Sequence, residues 1–342
     1  MASKKMISLS AAIAVVAVVA VYAVSGISNS NPALITYSAD AYVQESNALL
    51  NAFHNSSGVH ISPAVGGGSF AVARQIGHGA PSDIFISVSS GAYARSYLQS
   101  RYSGWAVAFA ADQLVIAYSS ATLQNSSARA VIADFRTAAS TNSSSSYFNA
   151  FQNFTSGSTK IGIANPADDP AGLRGWFALE IAGYLYAGGN RSYFTGNVNQ
   201  NNAYVPSTSA ATLVAPLVAG DIQFLFIYKS AAISDGLHFL SLPPEINQGS
   251  SNLTSFYSGF TYALSTGNVS CSPIYLFITV LANNTNEKAS MEFVQFVVSH
   301  TSLLGTFGMT PLSPAIVFSS VPLPSSVENL VKEGALSNEG AL

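Results

Sequence analysis

Cysteine is almost missing: Cys271 stands alone, so no internal disulfide and no cysteine-based metal cluster can form. Charge is scarce too. Asp, Glu, Lys and Arg make up 8% of the residues, against about 25% in ordinary globular chains. The net charge is −3 with no basic block, which excludes nucleic acid as the expected partner. The five histidines (His54, His60, His78, His238 and His300) are scattered, with no HExxH or other metal spacing. No G-x-S-x-G elbow and no P-loop lysine occurs, so no local pattern supports catalysis. Scarce charge does not mean disorder here, because 49% of the 342 residues are hydrophobic and can bury a large core. Ser, Asn, Thr and Gln supply the polar surface instead.

The N-terminus indicates a compartment. Lys4 and Lys5 precede the uncharged run ISLSAAIAVVAVVAVYAV (Ile7 to Val24), and small residues follow in SGISNSNP. A charged start, an apolar centre and a small-residue cut site make residues 1–26 a signal peptide. At 18 residues the run also reaches the short end of what spans a bilayer, so an N-terminal membrane anchor fits as well. Residues 27–33 read as a linker. The remainder is expected outside the cell, secreted or held at its surface. Eight Asn-X-Ser/Thr sequons, at Asn55, Asn125, Asn142, Asn153, Asn190, Asn252, Asn268 and Asn283, suit an exported glycoprotein.

Beyond the linker, extended and helical patterns alternate. ALITYSA, SDIFISVSS and KIGIANP read as strands, while YVQESNALLNAF, GLRGWFALEIAGYLYAG and EKASMEFVQFVVSHTSLLGTF have helical spacing. This alternation predicts an α/β architecture with largely parallel sheets. GWAVAFAADQLVIAYSS reads as two strands around a turn. The expected organisation is two lobes with crossovers near Tyr118 and Cys271. Residues 34–118 plus 272–324 form lobe I, residues 119–271 form lobe II, and residues 325–342 are a flexible tail.

Four strand-to-helix junctions share one chemistry. VGGGSFAVARQI carries three glycines through Ser69 into a helix, and glycine lets backbone approach a ligand closely. TYSADAY runs a strand into Ser38 and Asp40, and ISVSS ends a strand at Ser87. NPADDPAGLRG places Asp168 and Asp169 just before a long helix. Each could be a βα turn needing small residues for geometry alone. Together they are what an oxyanion pocket at the strand ends of α/β lobes requires, with helix N–H groups and hydroxyls as donors.

GSFAVARQI, SDIFISVS, WAVAFAADQLVIAY, NPADDPAGLRGWFALEIAGYLY and FIYKSAAISDGLHFLSLPPEIN resemble, in order, stretches of the archaeal molybdate/tungstate-binding proteins of ABC importers. The match runs from about Ile35 to Pro314. The resemblance implies a two-lobed periplasmic-binding-protein fold of type II that closes around its ligand. It also implies a monomer without catalytic activity or cofactor, which delivers molybdate or tungstate to a membrane permease. Within it, Ser69 matches the turn that hydrogen-bonds the oxyanion, Ser87 the next strand end, and Tyr228 a pocket tyrosine. The Asp168–Asp169 pair matches the loop that supplies a carboxylate to the metal centre, with Asp169 preferred as the direct ligand to Mo or W. Ser38 and Asp40 are approximate equivalents, because the family's His-Ala-Gly-Ser run is here YSAD. The family's second carboxylate, a glutamate, falls at Ser209 or Ala210. That departure leaves a hydrogen-bonded tetrahedral ligand such as sulfate or phosphate as the alternative, with an enzyme on the same fold as a further one.

Overall fold

The computed structural model describes residues 32–265 and 267–342. The signal-peptide or anchor segment, and the linker as far as residue 31, lie outside the described residues. Apolar, β-branched runs bounded by Gly, Ser and Pro become strands. In the first lobe these are β1 (Thr36–Ala39), β2 (Val65–Gly67), β3 (Ile84–Ser87) and β4 (Trp105–Ala111). The second lobe holds β5 (Leu114–Tyr118), β6 (Ile161–Ala164), β7 (Tyr204–Ser207), β8 (Phe224–Tyr228) and β9 (His238–Ser241). A hairpin of β10 (Thr261–Leu264) and β11 (Gly267–Ser270) follows. The chain then returns to the first lobe with β12 (Tyr275–Val280), β13 (Thr310–Ser319) and β14 (Leu336–Asn338).

The first sheet has seven strands in the order β14-β13-β4-β12-β3-β1-β2, and the second has five, β7-β6-β8-β5-β9. Helices cover both, so the strands are apolar on both faces: the adjacent, oppositely directed pairs Ile84 and Phe85 and Ala108 and Phe109 are fully buried in one lobe, and Phe224 and Leu225 in the other. Each of the larger side chains contributes about 1.5–3 kcal/mol through burial. Among the described residues no helix is long and apolar enough to cross a membrane.

Three expectations are corrected. The sheets are mixed rather than largely parallel: β12 is antiparallel to β3 and β4, and β5 to β8 and β9. Strands that carry the chain between lobes enter each sheet from its opposite end. The first crossover is not near Tyr118. β4 and β5 do not pair with each other, and β5 lies in the second sheet, so the chain changes lobe at Asp112–Gln113. Residues 325–342 are not a flexible tail. They form a helix, Ser325–Lys332, and β14, which runs parallel to β13 with Ala315 opposite Leu336. The physical reason is that β13 offers an unpaired edge, while Val327 and Leu336 gain burial.

Candidate functional site

Parallel pairing in the first lobe brings three strand ends level. Ser38 of β1 lies opposite Gly66 of β2 and Ile86 of β3, so the turns after these strands share one rim. Ser69 opens the helix Ser69–Gly77 and is 1% exposed, yet its Oγ has no partner in the protein. Gly68 before it is needed for close approach: a Cβ there would stand 3.1 Å from the carbonyl oxygen of Asp168, on the other lobe. Ser38 and Ser87 reach the same rim, but their hydroxyls are taken. Ser38 Oγ lies 2.8 Å from Ser46 Oγ, and Ser87 Oγ accepts from the Ser89 N–H at 3.2 Å.

The second lobe mirrors this rim. β6 runs parallel to β7 and β8, so Asn165–Asp169, Ser209–Ala210 and Tyr228 all follow strand ends on one side. Asp169 caps the helix Pro170–Tyr186, with proline at its first position. Its Oδ1 accepts from Ala171 N at 2.8 Å and its Oδ2 from Ala210 N at 2.7 Å. Asp168 is less enclosed and accepts from Asn165 Nδ2 at 2.7 Å. The acidic pair is thus divided: Asp169 is inside and Asp168 braces the turn. Tyr228, 1% exposed, has a hydroxyl without a partner, and its ring lies 5.4 Å from that of Tyr42 in the first lobe.

The lobes meet across this rim. Ser209 Oγ donates to Asp40 Oδ2 at 2.7 Å, and the other Asp40 oxygen accepts from Ala41 N at 2.9 Å. Deeper in, Asp112 at the first crossover accepts from Tyr42 Oη (2.9 Å), Ser230 Oγ (2.6 Å) and Gln113 N (2.7 Å). Glu45, fully buried on the first lobe's helix Val43–Ser57, accepts from Ser234 Oγ of the second lobe at 3.2 Å. Its other oxygen has no partner.

Burial sets the electrostatics. It raises Asp169 from the usual carboxylate value to about 6, with the Asp40 charge adding to the rise and the Ala210 and Ala171 N–H groups opposing it. It raises Glu45 to about 7 and Asp112 in the same direction. Asp40 and Asp169 are the carboxylates at the rim, and Asp112 and Glu45 lie at the lobe contact beside them. No group of three or more His, Cys, Asp or Glu is placed to hold a metal ion among the described residues.

Arg174 of the DDP-x-G-x-R element serves the hinge rather than the rim. Its guanidinium donates to Gln248 Oε1 (3.2 Å), Ser272 Oγ (3.2 Å) and the Ser272 and Pro273 carbonyls. The two crossovers are themselves bonded, Asp112 N to the Ile274 carbonyl at 2.9 Å. Arg174 is 7% exposed, so Arg174→Met leaves buried acceptors unpaired. Urea unfolding is expected to show a loss of about 2–4 kcal/mol.

A cleft of about 1390 Å³ opens beside the contact, lined among others by Phe70 and Ser89 of one lobe and Ala167 and Pro170 of the other. Ser69, Asp169 and Tyr228 do not line it. None of the eight sequon asparagines is buried. Glu45, Asp112 and the Ser209 bond to Asp40 escape sequence reasoning, because their partners lie in distant segments.

Two archaeal chains illustrate the similarity. An uncharacterized solute-binding protein of Sulfurisphaera tokodaii is 36% identical over 326 residues, covering 92% of this chain and 84% of its own. One from Saccharolobus solfataricus is 36% identical over 325 residues, covering 91% and 79%. Among solved structures, the Azotobacter vinelandii periplasmic molybdate-binding protein aligns with a TM-score of 0.55 at 14% identity, over 81% of this chain and 98% of its own. The sulfate-binding protein of Mycobacterium tuberculosis H37Rv aligns at 0.58 with 14% identity, over 90% and 93%. These structural likenesses establish the two-lobed periplasmic-binding-protein fold. The family model described as bacterial extracellular solute-binding protein matches residues 34–302, and the chain belongs to that family.

Proposed function

We propose that this protein captures molybdate or tungstate between its lobes outside the cytoplasm and hands it to the permease of an ABC importer. The observation that carries the reading is the pair of buried hydroxyls, Ser69 Oγ and Tyr228 Oη, left without partners on facing rims. A buried polar group without a partner costs about 1–3 kcal/mol, and oxyanion oxygens placed between the rims recover that cost. Asp169, raised to about 6, has two ways to avoid repelling an anion. It bonds the central atom, or in acid it is neutral and donates a hydrogen bond. Ser38 and Ser87 support the rim from behind, and Asp168 holds the turn. The unburied sequons are sites for surface glycans.

The alternative ligand is sulfate or phosphate, favoured by Ser209 or Ala210 standing where the resemblance implies a second carboxylate. A thermal-shift series with molybdate, tungstate, sulfate and phosphate separates the readings. An oxyanion at a hundredfold above its Kd is expected to add about 2.7 kcal/mol of stability, and Ser69→Ala to lose most of that gain. Silence with all four anions overturns the proposal.

A further inference from the structure

We propose that Asp40 is a positioning residue for this site: it completes the seat of Asp169 only when the lobes close. The inference rests on the oxyanion-binding reading above. Ser209 and Ala210 are adjacent, and each is tied to a carboxylate. Ser209 Oγ donates to Asp40 Oδ2 at 2.7 Å across the lobe boundary, and Ala210 N donates to Asp169 Oδ2 at 2.7 Å within the second lobe. One two-residue segment therefore couples the first lobe to the buried ligand-facing carboxylate.

The segment is stiff enough to transmit that contact. Thr212 Oγ1 donates to the Ser209 carbonyl at 2.7 Å and lies 2.6 Å from Ser207 Oγ, which braces residues 207–212 as a unit. Asp40 is also aimed from its own side, since its Oδ1 accepts from Ala41 N at 2.9 Å. The contact is enclosed, with Ser209 7% and Asp169 4% exposed. A hydrogen bond to a charged acceptor is stronger than one between neutral groups.

Position matters as much as strength. A bond that only held the lobes together could sit anywhere along their contact and would not need a second negative charge beside Asp169. This one is placed on the residue that precedes the Asp169 donor. Opening the lobes removes the acceptor from Ser209, lets the braced 207–212 unit shift as a whole and so loosens the Ala210 bond to Asp169. Closing restores all three. Asp40 thus acts through Ser209 and Ala210 without touching the ligand.

The test is titration calorimetry of the full chain with sodium molybdate and sodium tungstate, in wild type, Asp40→Ala, Ser209→Ala, the double variant and Asp40→Asn. Each alanine variant is expected to weaken binding about tenfold. The double variant should be no weaker than either single, because both remove the same bond. Asp40→Asn keeps an oxygen acceptor for the Ser209 hydroxyl and should recover to within about threefold of wild type. Ligand-free melting temperatures should stay within about 2 °C of one another, as expected for a bond at the lobe contact rather than in a core.

Additive losses in the double variant overturn the inference, and so does wild-type affinity in Asp40→Ala. So does an Asp40→Asn variant as weak as Asp40→Ala, since an oxygen acceptor for the Ser209 hydroxyl would then not be what the site needs from residue 40. If wild type binds neither oxyanion, the functional reading fails and takes this inference with it. A wild type that binds while the variants show no coupling removes the inference alone.

Discussion

Raising the pH from 4 to 8 is expected to destabilise the ligand-free protein by roughly 5 kcal/mol, at about 1.4 kcal/mol per unit of pKa shift. Glu45 rises to about 7 and Asp169 to about 6, both chiefly through burial. Each value lies above that of the same group in the unfolded chain. In the window between the two values the native state keeps a proton that the unfolded state has lost. The stabilisation is therefore fully present below about pH 4, declines as pH rises, and is gone above about pH 7. Asp112 is shifted in the same direction and adds to the trend. Urea unfolding at pH 4, 6 and 8 measures it. Glu45→Gln, which is neutral at every pH, should remove about half of the slope. A stability maximum at neutral pH would contradict the assignment.

Gly172→Ala is expected to cost 3 kcal/mol or more, because overpacking against rigid groups falls at the upper end of its range. A Cβ at this position would lie 1.9 Å from the Ala164 carbonyl oxygen and 2.4 Å from its carbon. These are backbone atoms at the end of β6, so no side chain can rotate out of the way. The helix Pro170–Tyr186 must move off the strand, carrying with it the Asp169 cap and the Ala210 contact. Urea unfolding should report the lost stability, and calorimetry a parallel loss of oxyanion affinity. Gly196→Ala is the control. It lies inside the helix Tyr193–Gln200 with nothing within 4 Å of its Cβ position, and is expected to be neutral or mildly stabilising.

Local chemistry was legible in the sequence where it was local in the structure. The Asp-Pro pair announces a cap followed by a first-turn proline, and the glycines before Ser69 announce a close approach. The strand-to-helix junctions named from the sequence lie level at the ends of parallel strands. What could not be read depends on partners far along the chain. Asp40 is 169 residues from Ser209, and Arg174 is 98 residues from Ser272. Glu45 looks like any polar helix residue until Ser234 of the other lobe packs against it. WAVAFAADQLVIAY reads as a hairpin because its two halves are equally apolar. They are buried in two different sheets, which periodicity cannot distinguish. Leu336 sits in a weakly apolar stretch and becomes a strand residue only because β13 has a free edge.

The clasp of Arg174 on Ser272 and Pro273 has a mechanical consequence. Arg174 follows Asp169 by five residues, roughly 7.5 Å along a helix axis, and its guanidinium holds the segment leading into β12. Asp169 therefore rides on a short lever arm close to the pivot. The Ser69 turn, whose Gly68 approaches the Asp168 carbonyl, lies close to the same pivot, so rotation about the crossovers parts the two rims by only a short stroke. On the oxyanion reading proposed above, that short stroke is enough to withdraw the first lobe's hydroxyl and N–H donors from the Asp169 side of the site.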